Sequence, residues 1–277
     1  MTRFAGKDRD VITKAAKIIA GASRAVAFCG AGISAESGIA TFRDPGGLWD
    51  RLDPVKTGST RGLIDTLART PEKVVPVFVD LLDALGAAQP NPGHKALAEL
   101  ERMGILASVI TQNIDNLHQE AGNTRVIEVH GNGFRLRCLS CGNIETRDRR
   151  ELIRETKEKL TSVSGYDLDT LFSLMPVCAE CGSVMRPDVV MFGEPVMHMT
   201  QAFAEARACD VMLALGTSGA VQPAAWIPVE AKQAGARVIV INPNENSFSA
   251  VSDVYVPMKT GEALPMIVEL VKEELKR

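Results

Sequence analysis

The sequence predicts an α/β fold in which a parallel β-sheet carries helices on both faces. Short apolar runs, typical of buried parallel strands, alternate with segments whose apolar residues recur at helical spacing. Strands that alternate with helices favour a parallel sheet that is covered on both sides. Two further segments break this alternation, and we expect them to be insertions that form a smaller domain.

These patterns place individual helices and strands along the chain. An amphipathic helix is predicted at residues 8–22. The strands are predicted at residues 24–30, 106–111, 211–216, 237–242 and, more weakly, 254–258. Helices between them are predicted at residues 93–103, 199–207 and 223–234.

The two interrupting segments differ in composition from the rest. Residues 47–92 contain a polar loop with glycine and proline, followed by helical patterns, and residues 134–187 contain four clustered cysteines. We therefore expect a discontinuous sheet domain and a small domain. The sheet domain is predicted at residues 1–46, 93–133 and 188–277, and the small domain at residues 47–92 and 134–187.

Composition narrows the function classes. The net charge is −3, and hydrophobic residues make up 45% of the 277 positions. This balance is ordinary for a globular protein and lacks the basic stripe of a dedicated nucleic-acid binder. No run approaches the roughly 18 apolar residues of a membrane span. The charged first residues lack a signal-peptide pattern, so we expect a cytoplasmic protein without stable nucleic-acid or membrane partners.

A glycine pattern follows the first predicted strand. Gly30, Gly32 and Ala35 form G-x-G-x-x-A between that strand and a predicted helix. Such glycines let backbone N–H groups approach a pyrophosphate, although a tight turn without a ligand would look the same. A dehydrogenase should carry an acidic residue about 20 positions later, at the end of a second strand. Residues 41–50 are instead predicted to be a loop, which disfavours simple hydride transfer.

The cysteines give the clearest local signal. Cys138 and Cys141 form one CxxC pair, Cys178 and Cys181 a second, and glycine follows each pair. Four thiolates match a closed tetrahedral zinc site, whose role is structural because no coordination position remains for water. A redox pair and two disulfides are the less favoured alternatives.

His130 directly follows the apolar run at residues 126–129 and is the candidate catalytic histidine. A histidine at a strand end lies where α/β proteins bind ligands. His94 is predicted at a helix start and is better explained structurally. His118 and His198 show no distinguishing feature.

Polar turns follow several other strands. Gln112, Asn113 and Asp115 follow the second strand, and similar turns occur at residues 216–218 and 242–244. Amides and carboxylates can bind ribose hydroxyls or a carboxamide, but helix capping and ordinary turn chemistry explain the same residues. Several such turns on one sheet edge predict an extended ligand cleft.

Together these segments resemble the sirtuin family through nearly the whole chain. The matching segments are GAGISAESGIATFRDPGGLW at 30–49, TQNIDNLH at 111–118, HG at 130–131, both CxxC pairs, RPDVVMFGE at 186–194, GTS at 216–218 and INP at 241–243. The resemblance implies a Rossmann-like NAD-binding domain and a small domain made of a zinc module and a helical insertion. It also implies NAD as co-substrate and one structural Zn²⁺ per chain.

The resemblance implies removal of an acyl group, most simply acetyl, from lysine in a protein or peptide. The acyl oxygen would attack the anomeric carbon of the nicotinamide ribose, with release of nicotinamide and O-acyl-ADP-ribose. His130 corresponds to the family's general base, which deprotonates a ribose hydroxyl. Asn113 would help to position the ribose and a water.

Further residues carry over by position. The residues expected around NAD are Gly30, Ala31, Gly32, Ser34, Glu36, Phe42, Arg43, Gln112, Ile114, Asp115, Gly216, Thr217, Ser218, Asn242, Asn244 and Ala263. Among them, Phe42 would shield the reactive carbon, while Ile114 and Asp115 would hold the nicotinamide carboxamide. The residues expected along the substrate peptide are Val190, Phe192, Gly193 and Glu194.

One departure bears on the acyl group. The segments at residues 35–37 and 41–43 resemble the branch that includes desuccinylases, whose members acting on acidic acyl groups carry a Tyr-x-x-Arg pair in the helical insertion. No such pair occurs in residues 47–92, and the aligned positions hold Phe78 and Leu81. Leucine cannot form the bidentate pair that arginine offers a carboxylate. We therefore predict an uncharged acyl group, either acetyl or a longer apolar chain.

Other activities stay open at this point. Mono-ADP-ribosyl transfer to a protein nucleophile and long-chain deacylation as the main activity are the enzymatic alternatives. A non-catalytic NAD-binding module is disfavoured by the combination of Asn113, Asp115 and His130. For the assembly state we expect a monomer or a weak homo-oligomer.

Overall fold

The computed structural model describes residues 6–42 and 45–277 of the chain. In this described part the strands are β1 (Ala25–Cys29), β2 (Leu106–Thr111), β3 (Val126–Glu128), β4 (Gly131–Cys138), β5 (Ile144–Thr146), β6 (Met185–Val189), β7 (Val211–Leu215), β8 (Arg237–Ile241) and β9 (Val254–Val256). The α-helices are α1 (Gly6–Ala20), α2 (Leu48–Arg51), α3 (Pro54–Thr57), α4 (Thr60–Arg69), α5 (Pro71–Ala87), α6 (Pro92–Arg102), α7 (Leu117–Ala121), α8 (Arg149–Thr161), α9 (Leu168–Ser173), α10 (Met199–Ala208), α11 (Trp226–Gln233) and α12 (Thr260–Glu274).

The larger sheet has six parallel strands in the order β3-β2-β1-β7-β8-β9. The chain builds outward from β1 to β3 on one side and from β7 to β9 on the other. The strand order therefore reverses between β1 and β7, and open parallel sheets bind ligands beside the carboxyl ends of the strands at such a point.

Both faces of this sheet are covered, as the sequence predicts. Along β1, Ala25, Ala27 and Cys29 join the core under α1, α6 and α12, whereas Val26 and Phe28 join the core under α10 and α11. Successive side chains of a strand point to opposite faces, so a strand buried on both faces must be apolar throughout. This requirement explains the unbroken apolar runs in the sequence.

Most predicted elements lie within three residues of their observed bounds, but one prediction is wrong. The glycine pattern does not open an α-helix. It is followed by two short 3₁₀ turns, Ala31–Ile33 and Ala35–Ser37, and by Gly38 with a φ of +89°. Between the two turns, the Ser34 hydroxyl bonds to Asp115 rather than capping a helix, which is a long-range contact that the local pattern cannot reveal.

A second sheet contains the antiparallel strands β5-β4-β6. In the apolar core of this sheet, Phe134, Leu136 and Met185 pack against α5 and α8. A separate apolar cluster around Leu52, Val74 and Val77 lies within the helical insertion. None of the helices in the described residues combines the length and apolarity that a membrane span requires.

The four cysteines meet beside this second sheet. Their Sγ atoms all lie within 4.8 Å of one another. The Cys138–Cys181 and Cys141–Cys178 sulfur distances are 3.4 Å and 3.7 Å. A disulfide needs about 2.05 Å, so these pairs are not disulfides. A tetrahedron with Zn–S bonds of about 2.3 Å has sulfur–sulfur edges near 3.8 Å, which the cluster matches.

The four-cysteine cluster connects segments that are distant in sequence. Cys138 ends β4, whereas Cys178 lies 40 positions later in the sequence and precedes β6. The amide of Cys138 also donates to the carbonyl of Asn143, and that of Cys178 to the carbonyl of Ser183, so each pair lies on its own tight turn. A metal ion held by all four thiolates would cross-link the two turns and add to the apolar core of this small sheet.

We expect one zinc per chain, and we expect its loss to destabilise the fold. Cys178→Ser should lower the metal content and the melting temperature, because the remaining thiolates would lose their shared cation. Atomic emission spectroscopy and thermal unfolding measure the two effects. Ser140→Ala, between two of the cysteines but without a ligand atom, is the matched control. An unchanged melting temperature after verified metal removal would contradict the structural role.

Candidate active site

The carboxyl ends of the strands bring the predicted site residues to one edge of the large sheet. Gly30 follows β1, Gln112 follows β2, His130 follows β3 by two residues, Gly216 follows β7 and Asn242 follows β8. Positions that are up to 212 residues apart in sequence thus lie along one edge, because parallel strands all end on the same side.

The glycines at the β1–β7 junction serve backbone packing first. The Gly32 amide donates to the Gly216 carbonyl over 2.7 Å. A Cβ at Gly32 would lie 2.7 Å from that same oxygen, and Gly216 has a φ of +55°. Two main chains can approach this closely only without side chains. The Gly32 N–H is therefore used inside the protein and is not free to meet a phosphate.

Behind this junction lies a buried polar cluster of Ser34, Asn113 and Asp115, exposed by 1%, 7% and 4%. Ser34 Oγ donates to Asp115 Oδ2 over 2.6 Å. Asn113 Nδ2 donates to the Gly30 carbonyl and to Ser34 Oγ, both over 3.1 Å. Both amide hydrogens of Asn113 are thus used, and its Oδ1 is the atom left to accept a hydrogen bond from a ligand.

Asp115 is a carboxylate that is almost completely buried. Burial raises its pKa, while hydrogen bonds from Ser34 and from the Leu117 amide, and the charge of Arg149, pull it back. Arg149 is itself buried on α8, where it pairs with Glu120 of α7 at 2.8 Å and donates to the Ala88 carbonyl. The guanidinium thus joins α8 to α7 and to the C-terminal end of α5.

His130 lies between the ends of the two sheets. Its Nδ1 lies 3.1 Å from the Gln112 carbonyl oxygen, and its own carbonyl accepts from the Val190 amide over 3.0 Å. A carbonyl oxygen can only accept, so Nδ1 carries the hydrogen and Nε2 keeps the basic lone pair. Burial lowers the pKa of His130, and the bond to Gln112 offsets part of that effect.

On the other side of the junction, polar side chains hold the loops after β7 and β8. Gln112 Nε2 donates to Thr217 Oγ1 over 3.0 Å, and Asn246 Nδ2 donates to the Thr217 carbonyl over 2.7 Å. Asn246 is not among the predicted site residues, although it lies only two positions beyond the polar turn at 242–244. Asn242 Nδ2 donates to the Asn244 carbonyl, so these two residues hold each other.

Two of the predicted cofactor residues have hydrogen-bond partners within the protein. Glu36 Oε2 accepts from the Gly261 amide over 2.8 Å, in the first turn of α12. A carboxylate at that position satisfies a free helix N–H and complements the helix dipole. Ala263 is fully buried in the same helix, and its amide donates to the Lys259 carbonyl.

The remaining predicted residues lie around this edge. Ala31 belongs to the first 3₁₀ turn, the Ile114 carbonyl accepts from the Gly133 amide, and exposed Ser218 accepts from the Ser247 amide. Arg43 lies outside the described residues.

An aromatic row connects the segment before α2 with the segment after β6. The Phe42 and Trp49 rings stack with centroids 6.0 Å apart, and Trp49 meets Phe192 at 5.5 Å. Phe42 and Phe192 are each more than 40% exposed. The Phe192 amide donates to the Gly58 carbonyl, which fixes this segment against α3. Trp49 belongs to the segment at residues 30–49 that resembles the sirtuin family, but it is not among the predicted site residues.

Glu194, predicted along the peptide, is already paired. Both of its carboxylate oxygens accept from Arg186, at 2.9 Å and 2.8 Å, and Oε2 also accepts from the Met191 amide. Gly193, with a φ of +87°, allows the tight turn that brings these groups together. Glu194 therefore shapes the segment that carries Phe192.

The buried Cys29 and Cys209 take no part in this site. Burial raises the pKa of both thiols, so neither is a nucleophile near neutral pH.

Comparisons with known proteins give the family of this chain. An NAD-dependent protein deacylase of Desulfosudis oleivorans is 63% identical over 264 residues, covering 95% of this chain and 97% of the relative. A crystal structure of a Sir2 homolog–NAD complex has a TM-score of 0.77 at 38% identity, covering 95% of this chain and 94% of that one. A Sir2 protein bound to a myristoylated histone peptide has a TM-score of 0.70 at 36% identity, covering 97% and 99%. Residues 30–223 match the Sir2 family, and the chain belongs to that family.

Proposed function

We propose that this protein is an NAD-dependent protein-lysine deacylase, with acetyl as its main acyl group, that releases nicotinamide and O-acyl-ADP-ribose. The observation that carries the proposal is the position of His130. Its side chain is held by Gln112 on the cofactor side, and its main chain is held by Val190 on the peptide side. A base in this position can serve a reaction between two substrates that meet at the carboxyl edge of the sheet.

NAD, when bound, supplies the ribose carbon that accepts the acyl oxygen and the nicotinamide that leaves. We assign Ser34, Asn113 and Asp115 to its nicotinamide end, since they form the buried polar cluster beside the glycine junction. Thr217, Ser218 and Asn242 are assigned to its phosphates and adenosine. The other predicted NAD residues stay part of this proposal, with Glu36 and Ala263 acting through the position of α12.

His130 acts as the general base through Nε2. Its Nδ1–H bond to Gln112 fixes the tautomer, and burial favours the neutral ring, so the lone pair is available near neutral pH. Asn113 accepts through Oδ1, which its two internal bonds leave as the remaining polar atom. Phe42 excludes water from the same space.

The peptide is proposed to lie as an extended strand against residues 190–193. Main-chain pairing binds such a segment with little dependence on its side chains. Phe192 supplies the exposed apolar surface at this edge, and Glu194 holds the edge in place through Arg186.

The acyl group is proposed to be uncharged. Phe78 packs with the apolar cluster of the helical insertion, and Leu81 packs with the core of the second sheet. Neither position offers a cation to a carboxylate, which would lose its hydration without compensation.

The domain division and the location are also proposed. The six parallel strands support the large domain, and β5-β4-β6 with the helical insertion supports the small one. Strand β4 crosses the boundary predicted between residues 133 and 134, and β6 crosses the boundary predicted between residues 187 and 188. A thiolate cluster that binds zinc supports a reducing, cytoplasmic compartment.

Replacing His130 with alanine should lower the turnover of an acetyl-lysine peptide at least about 100-fold, since that is the usual contribution of a general base. NAD affinity should change little. His198→Asn is the matched control, because His198 is exposed with a φ of +53°, a conformation that asparagine also adopts. Mass spectrometry of the products provides the measurement. Retained turnover would exclude His130 as the base, and a protein-bound ADP-ribose as the main product would favour the transferase alternative.

The rate should also depend on pH in a defined direction. The neutral form of His130 is the active one, and burial lowers the pKa of this ring below its usual value of about 6.5. The value of kcat/KM should therefore be constant near neutral pH and fall as pH drops through a midpoint below 6.5. The residual rate of His130→Ala should lack this acid limb. A midpoint above 7 would contradict the proposed environment.

An acyl-peptide panel tests the pocket. Acetyl-lysine or a long-chain acyl-lysine should be processed at least about tenfold faster than succinyl-lysine, because a buried unpaired carboxylate costs more than 1.4 kcal/mol. Free nicotinamide is the readout, and Phe78→Leu serves as a control that keeps the pocket apolar. A clear preference for succinyl-lysine would refute the uncharged-acyl prediction.

A further inference from the structure

Two histidines lie behind the polar cluster, outside the residues assigned so far. His94, near the start of α6, and His118, on α7, are exposed by 0% and 1%. Their ring centroids are 4.9 Å apart, and the rings cross at 63°. Of the two, His94 approaches the site, with its Nε2 3.5 Å from Ser34 Oγ.

The hydrogens around Ser34 can be assigned one by one. The 2.6 Å distance to Asp115 is typical of a hydroxyl bonded to a carboxylate, so the single Ser34 hydrogen points to Asp115. The Ser34 oxygen then accepts from Asn113 and has one further lone pair. A nitrogen lone pair facing that oxygen would be repelled. The tautomer with its hydrogen on His94 Nε2 is therefore the one that suits this contact, because it lets the ring donate to Ser34.

Burial supports a single, fixed tautomer. It lowers the pKa of His94 to about 4, so the ring is neutral near pH 7 and has one N–H. His94 Nδ1 has no hydrogen-bond partner among the described residues. A hydrogen on Nδ1 would be an unsatisfied buried donor, whereas a hydrogen on Nε2 finds Ser34.

We propose that His94 is a positioning residue for the nicotinamide end of the NAD site. Its Nε2–H occupies the Ser34 oxygen and keeps the Ser34 hydroxyl directed at Asp115. The carboxylate is thereby held with one oxygen on Ser34 and the other on the Leu117 amide. This inference rests on the proposed function, in which Asp115 receives the nicotinamide carboxamide.

His94→Phe tests the proposal, because phenylalanine keeps an aromatic ring against His118 but removes the donor. We expect the KM for NAD and the half-inhibitory concentration of nicotinamide to rise about fivefold, the usual effect of one internal hydrogen bond. The KM for the acyl-peptide should stay within twofold. His94→Gln, whose amide can reach Ser34, should recover part of the loss.

His118→Phe is the matched control. This ring is equally buried and touches His94, but neither of its nitrogens has a hydrogen-bond partner among the described residues. It should leave both NAD parameters unchanged. An equal rise in His94→Phe and His118→Phe would mean that packing alone matters and would overturn the proposal, as would no change in either variant.

A double-mutant cycle with Ser34→Ala gives a second test that does not depend on stability. If His94 acts through Ser34, His94→Phe should cause no further rise in the KM for NAD once the Ser34 hydroxyl is gone. Additive effects would overturn the proposal. Deacylation by the unmodified protein distinguishes failure of the proposed function from failure of this inference. Its absence would refute the proposed function. Normal deacylation together with unchanged NAD parameters in the His94 variants would refute only this inference.

Discussion

The close contact between the Gly32 and Gly216 main chains is the constraint on which the rest of the site depends. It joins the segments that leave β1 and β7 at the point where the strand order reverses. Because no side chain intervenes, Ser34 is carried under the sheet edge, where Asn113 and Asp115 can reach it. A larger residue at either glycine would separate the two halves of the sheet edge and move Ser34 away from its partners.

The electrostatics of the site follow from the burial of the polar cluster formed by Ser34, Asn113 and Asp115. Asp115 is one carboxylate among neutral donors, and the cation that lowers its pKa, Arg149, lies on α8 rather than on an element of the large sheet. Burial lowers the pKa of both His94 and His130 and so favours their neutral forms, but the two rings have different surroundings. His94 faces the protein interior, whereas His130 lies at the junction of the two sheets. The same physical effect thus yields one histidine suited to hold a hydroxyl and one suited to accept a proton.

Much of the fold could be predicted from local patterns, because strands buried on both faces must be continuously apolar. The four cysteines were equally predictable, since two CxxC pairs favour a shared zinc ion over disulfides or a redox pair. Local patterns failed where a long-range hydrogen bond decided the outcome. The segment after Gly30 has a helix-like pattern, but Ser34 bonds to Asp115 and the segment forms two 3₁₀ turns. The pairing of Glu36 with Gly261 and of Glu194 with Arg186 is equally invisible in the local sequence. Asn246 was missed and His94 was predicted to be only structural, because both side chains contact residues distant in sequence.

The aromatic row of Phe42, Trp49 and Phe192 has a consequence for how the two substrates meet. One end of the row lies in the segment proposed to cover NAD and the other in the edge proposed to receive the peptide. Stacked rings share their contact area, so a displacement of one changes the energy of the next. A substrate that moves the ring at its own end would change the free energy of binding the other substrate, equally in both directions. The size of this coupling would depend on three side chains, two of which are exposed.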